Sequence, residues 1–156
     1  MPLIALDTET RLIGKGQMPP PMVCAQFATL LDGDAFAWIH ERAKEGHKEE
    51  ILELLSDETA EWIFHNAAYD LSVLCNHIPE AVPHIWKALD EERVHDTMIR
   101  EMLYNLTSTG DIDNIEVHGI QQRAEYSLAA LVKKHLGIDR SADKEGDDTA
   151  RMNYQL

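Results

Sequence analysis

Two short acidic stretches carry the chemistry in this sequence. Near its start, Ile4-Ala5-Leu6-Asp7-Thr8-Glu9-Thr10 delivers two carboxylates spaced i, i+2 from an apolar run of strand-forming residues. In a strand, that spacing sets both on one face of the sheet. Two neighbouring carboxylates repel each other, and a pair of hard oxygen donors is best neutralised by Mg²⁺ or Mn²⁺. Further on, His65-Asn66-Ala67-Ala68-Tyr69-Asp70-Leu71 supplies another acid. Asn66 stands at the expected end of a strand, where it can cap the following helix, and Asp70 lies one helical turn later. Open α/β folds gather their ligands at that carboxyl edge. Each stretch taken by itself also has a plainer reading. Asp7 can open a turn with Glu9 solvated, and Asp70 can be a helix-surface acid after an ordinary Asn cap.

The elements that must hold these residues follow from the hydrophobic pattern. Residues 3–7 read as a strand, and 11–21, with Gly14, Gly16 and three consecutive prolines, as a loop. Residues 22–31 are a second strand, apolar on both faces and therefore expected inside the sheet. Asp32-Gly33-Asp34 turns the chain into a third strand at 35–39. A charged connector at 41–46 leads to an amphipathic helix at 49–55, whose inner face is Ile51, Leu52, Leu54 and Leu55. A strand at 61–65 precedes a helix at 67–77, which Pro79 stops. A short helical piece at 86–89 and a brief strand at 93–95 follow, after which Asp96-Thr97 caps a helix at 98–103. Residues 105–122 are polar and glycine-bearing, hence a long loop. Ser127 caps a last helix at 128–136 that Gly137 ends. A three-strand antiparallel meander followed by alternating helices and strands predicts an α/β domain, a mixed sheet with flanking helices. The ribonuclease-H-like arrangement fits that order, as do other α/β arrangements. The expected domain is 1–138, with 139–156 a charged, apolar-poor tail expected to be mobile.

The 156 residues suffice for one domain with a full-sized core, and 44% hydrophobic against 27% charged residues is ordinary for a soluble globular chain. Cys24 and Cys75 show neither metal-knuckle spacing nor a disulfide framework, which predicts reduced core thiols. Neither a signal peptide nor a run long enough to span a bilayer is present, so a soluble, cytoplasmic chain is expected. Fourteen Lys plus Arg against 28 Asp plus Glu leave a net charge of −14. A protein that grips nucleic acid broadly through phosphates is basic. The balance therefore excludes a broad phosphate groove. It leaves either no nucleic-acid partner or a strand end gripped at a cation-filled site. The eight histidines show no H-x₃-H or H-E-x-x-H grouping, so they are expected at the surface or behind other groups rather than on zinc. Trp38, Trp62 and Trp86 read as core, or as one stacking partner for a terminal base.

Taken together, Asp7-x-Glu9 and His65-Asn66-x₃-Asp70 resemble the first and second motifs of the DEDD (DnaQ-like) superfamily of 3′→5′ exonucleases. Val94-His95-Asp96-Thr97 and Tyr126-Ser127-Leu128-Ala129-Ala130-Leu131 look like segments between its second and third motifs. The nearest flavour is the proofreading domain of family A DNA polymerases, especially phage-type ones, and the resemblance covers nearly the whole chain. It implies a ribonuclease-H-like fold and hydrolysis of a single-stranded DNA 3′ end with Mg²⁺ or Mn²⁺, two ions about 4 Å apart. By motif position Asp7 bridges both ions, Glu9 binds the nucleophile-side ion and Asp70 holds the leaving-group side. Thr8, Thr10, His65, Asn66 and Asp96 are implied as substrate contacts or supports behind the ligands. Asp96 itself reads more simply as a helix cap.

One part of that pattern is missing. The family's third motif, Tyr-x₃-Asp or His-x₃-Asp on a late helix, supplies a fourth carboxylate. Here His135-x₃-Asp139 matches the bare spacing, but Gly137 interrupts the helix between the two, so the match is read as coincidence. The expectation is an exonuclease domain that stops before its third motif and hydrolyses slowly or not at all. The alternatives are a non-catalytic fragment or split half that keeps the fold to bind a partner, such as the rest of a DNA polymerase, and a free-standing exonuclease acting on RNA or short oligonucleotides.

Overall fold

In this computed structural model, residues 2–11, 19–41, 46–117 and 119–139 are described. The expected loop at 11–21, the connector at 41–46 and the expected tail at 139–156 fall largely outside them. The chain divides into two compact units, Met1–Asp96 and Thr97–Leu156.

The first unit holds β1 (Leu3–Thr10), β2 (Met22–Leu31), β3 (Asp34–Glu41), α1 (His47–Leu55), β4 (Glu61–Phe64), α2 (Ala67–His77), a 3-10 turn (Pro79–Ala81), α3 (Val82–Asp90) and β5 (Val94–Asp96). Its strands form one sheet in the order β3-β2-β1-β4-β5. β1, β2 and β3 pair antiparallel, while β1 with β4 and β4 with β5 run parallel. The expected mixed sheet, a meander joined to parallel strands and flanked by helices, is therefore present. β2 is internal as anticipated. Towards its end both faces open to solvent, where the consecutive Leu30 and Leu31 are exposed.

Local chemistry accounts for the main elements. Asp32 and Gly33 take φ of 53° and 90°, the left-handed pair that a two-residue hairpin turn requires. Along β1 the buried Ile4, Leu6 and Thr8 alternate with more exposed positions, the period of two of a half-buried strand. Their apolar members join Met22, Phe27, Ile51, Leu55, Trp62, Phe64, Val73, Leu74, Ile78 and Ile85 in one core. Trp62 and Leu74 are almost wholly enclosed. α1 begins at His47, earlier than the apolar pattern shows, after Gly46 in the left-handed region. Glu49 and Glu50 in its first turn suit the positive end of the helix dipole.

The second unit contains α4 (Thr97–Thr109), β6 (Asn114–Val117), β7 (Ile120–Arg123) and α5 (Leu128–Leu136). The long loop expected at 105–122 is a correction. α4 continues to Thr109, and β6 and β7 then pair as an antiparallel hairpin. Polar residues hid this helical turn, because their hydroxyls fold back onto the helix's own carbonyls and no apolar stripe marks it. The Thr107 and Ser108 hydroxyls donate back to the Tyr104 carbonyl, and that of Thr109 donates to the Asn105 carbonyl. Asn105 is itself buried and donates to Tyr126 Oη at 3.0 Å. α5 has the expected bounds. Ser127 Oγ accepts from the Ala130 N–H at 3.3 Å, and Gly137 closes the helix at φ 69°. The buried Glu101 of α4 binds Lys134 Nζ at 2.5 Å and His135 Nε2 at 2.8 Å, tying α4 to α5.

Candidate active site

β1, β4 and β5 are parallel, so their carboxyl ends open at one edge of the sheet. Asp7 to Thr10 close β1 there, His65-Asn66 follow β4, and Asp96 is the last residue of β5. This is the edge at which α/β sheets place ligands. The sequence builds it through a mismatch in strand length. β1 runs to Thr10, but its pairing with β4 ends at Ala5↔Ile63. Past that point the β1 edge has lost its parallel neighbour, and a backbone N–H there needs another acceptor.

Asp70 supplies it. Its Oδ1 accepts from the Thr8 N–H at 2.9 Å and from Thr8 Oγ1 at 2.7 Å. Asp70 is only 2% exposed and Thr8 5%, so the two stretches singled out in the sequence are locked together in the interior. Burial pushes the Asp70 carboxyl up to about 6; the Thr8 hydrogen bonds oppose the rise and the nearby Asp7 charge adds to it. Asp7 is exposed at the rim, yet the protein around its carboxyl also holds its pKa above the ordinary carboxylate value, with His65 pulling it back. Two like charges thus sit within each other's field at the sheet edge.

Glu9 shares Asp7's strand parity and is exposed, as the i, i+2 spacing demands. Thr10 Oγ1 lies 2.6 Å from Tyr69 Oη, a second tie between β1 and α2 and one that the sequence reading missed. Only its place next to Asp70 could have signalled Tyr69. His65 is half-buried and close enough to act on Asp7 electrostatically.

One expectation about capping is corrected. Asn66 makes no side-chain cap to α2; it takes the left-handed conformation, φ 73°. Asp96 caps α2 from the neighbouring strand instead, Oδ1 accepting the Asn66 N–H at 3.2 Å and Oδ2 the Ala67 N–H at 2.7 Å. Its carboxylate therefore serves α2, a role that the expected cap of the following helix did not include. The reason is topological: β4 pairs with β5 through Phe64↔Asp96, which brings the end of β5 beside the start of α2.

The donors Asp7, Glu9 and Asp70 are oxygen ligands of the kind that hard divalent cations prefer, and the mutual repulsion of Asp7 and Asp70 is what a cation would relieve. In kind, then, the residues fit Mg²⁺ or Mn²⁺. Among the described residues, however, no three His, Cys, Asp or Glu side chains are grouped closely enough to hold an ion. The His135-x₃-Asp139 spacing does not extend the set. His135 Nε2 is engaged by Glu101, and Asp139 Oδ2 by Lys133 Nζ at 2.6 Å. A further contact, His47 Nε2 to His77 Nε2 at 2.8 Å, joins α1 to α2; histidine spacing along the chain gives no hint of it.

A solved structure described as the apo form of the nuclease shares the fold at a TM-score of 0.54, with 20% sequence identity over 97% of this chain. The present chain spans 63% of that one. No curated protein matches the sequence. A family model described as 3′-5′ exonuclease, of the family A DNA polymerase type, matches residues 1–151. The chain therefore belongs to the 3′-5′ exonuclease family.

Proposed function

We propose that this chain carries the hydrolytic site of a proofreading-type exonuclease, which removes nucleoside monophosphates from the 3′ end of single-stranded DNA. The observation that carries the reading is the Thr8–Asp70 lock, which fixes the second acidic stretch against the first at the carboxyl edge of the parallel strands. In this reading Asp7, Glu9 and Asp70 hold Mg²⁺ or Mn²⁺. When bound, such ions supply an activated water and stabilise the departing 3′-oxygen. The chain's own residues do the rest. Thr8 holds the Asp70 carboxylate in one orientation, His65 balances the charge on Asp7, and Thr10 with Tyr69 pins the end of β1 to α2. A strand end enters a small acidic site rather than a basic groove, which reconciles a phosphate substrate with a net charge of −14.

Among the described residues, no fourth carboxylate joins these three. A second reading is that the fold serves to bind a partner such as the remainder of a DNA polymerase. It draws on the net charge and on the lack of a three-ligand group among the described residues. A single-stranded DNA oligonucleotide labelled at its 5′ end separates the two when it is incubated with Mn²⁺ and either this chain or its Asp7→Ala variant. Stepwise shortening from the 3′ end that the substitution abolishes supports the exonuclease. Internal cuts, or cleavage indifferent to Asp7, would remove the support for these residues. No cleavage at all would favour the partner-binding reading.

A further inference from the structure

We propose that Asp96 is a positioning residue for the cation site: it sets the height and azimuth of α2, and through α2 the place of Asp70. This rests on the reading above for its function but on independent geometry for its mechanism. The start of α2 has no cap of its own, because Asn66 is turned into the left-handed region and its side chain makes no cap bond. The N–H groups of Asn66 and Ala67 are therefore met from outside the helix, each by a different oxygen of one carboxylate. A two-point grip restrains rotation of the helix end as well as its translation, where a single hydrogen bond would leave it free to pivot. A carboxylate at this end is further favoured by the helix dipole.

Asp70 lies one turn into the same helix, where a rotation of the first turn moves its carboxylate directly. Its own tie to β1 goes to a single oxygen, Oδ1, which Thr8 fills twice. The direction in which the other oxygen faces is then set by the pose of the helix, and Asp96 fixes that pose. β5 is only three residues long and ends on Asp96, so the strand's final position doubles as the clamp. Groups that orient metal ligands from behind typically change metal affinity 10–100-fold when altered.

The test compares the wild-type chain with Asp96→Asn, which keeps size and polarity but can accept through only one oxygen. Two readouts are taken: amide hydrogen exchange at Thr8, whose N–H reports directly on the position of Asp70, and the Mn²⁺ dissociation constant by calorimetry. We expect Thr8 exchange to rise by about tenfold relative to Leu6 in the same strand, and Mn²⁺ binding to weaken by about tenfold or more. Uniform acceleration along β1 would mean loss of stability alone and would overturn the proposal. Unchanged exchange at Thr8 would overturn it as well. Should wild type bind no Mn²⁺ while Thr8 still responds selectively, the positioning role stands and the exonuclease reading of the site falls. If Asp96→Asn does not fold, Asp96→Glu takes its place. Its extra methylene carries the oxygens about 1.5 Å off the two N–H groups, and the same selective change at Thr8 is expected, with its absence again decisive.

Discussion

Asp70 makes the protein's stability depend on pH in the direction opposite to most carboxylates. A buried carboxyl raised to about 6 binds its proton more tightly in the folded chain than in the unfolded one, where it titrates near the ordinary value. Wherever the folded state holds more protons, stability falls as pH rises. The contribution is thus fully present below about pH 4 and lost as pH climbs through 6. A rise of this size corresponds to about 3 kcal/mol at full effect. The Asp70→Asn variant stays neutral at every pH, and its amide oxygen can still accept from the Thr8 N–H and hydroxyl. The assay is urea unfolding of wild type and variant between pH 4 and 8 in the presence of a chelator. We expect near-equal stability at pH 4 and a variant more stable by about 2–3 kcal/mol at pH 8. A variant less stable at pH 8, or a difference that does not change with pH, would refute the account of Asp70 as an uncompensated buried acid.

Three further outcomes follow from single contacts. Thr8→Val removes the hydroxyl that donates to Asp70 Oδ1 at 2.7 Å. It should destabilise the chain by about 1.5–3 kcal/mol at pH 8, measured by denaturant unfolding, and by less at pH 4, where Asp70 is protonated. Glu101→Gln in the second unit loses the ion pair to Lys134 and the carboxylate's hydrogen bond with His135. Burial raises the Glu101 carboxyl, but hydrogen bonds from those two groups outweigh it and leave the pKa below the ordinary glutamate value. The stabilisation is therefore present near neutral pH and fades as the solution is acidified. Glu101→Gln should cost about 1–2 kcal/mol at pH 7, since both partners are half exposed, and flatten the acid limb of the stability profile. Ser127→Ala removes the acceptor for the Ala130 N–H and should lower stability by about 1 kcal/mol, checked by thermal unfolding.

The parts of the structure that were legible in the sequence are those whose cause is local. The apolar alternation in Ile4, Leu6 and Thr8, the Asp32-Gly33 turn, and the Ser127 and Gly137 ends of α5 are each settled by a few adjacent residues. The first acidic pair needed only the strand period to be placed on one face. What escaped depends on which strands become neighbours. Asn66 has the right chemistry to cap α2, yet the acceptor comes from Asp96, because β5 lies beside β4. Thr8 was singled out only by the family resemblance, as a substrate contact or a support behind the ligands. Its part in holding Asp70 arises because β1 extends past β4, a difference in length that no local motif encodes. The last turn of α4 was hidden because polar residues occupy it, Asn105 buried against Tyr126 and Thr109 bonded back to the Asn105 carbonyl, in place of an apolar stripe.

The central claim is that Asp7 and Asp70 form one cation site. Calorimetric titration of Mn²⁺ into the wild-type chain, Asp7→Ala and Asp70→Asn tests it most directly. The account predicts measurable binding to wild type, weakened at least about tenfold in both variants, since each removes a ligand from the same ion. Equal binding by all three proteins would contradict it and place any bound metal elsewhere on this acidic chain.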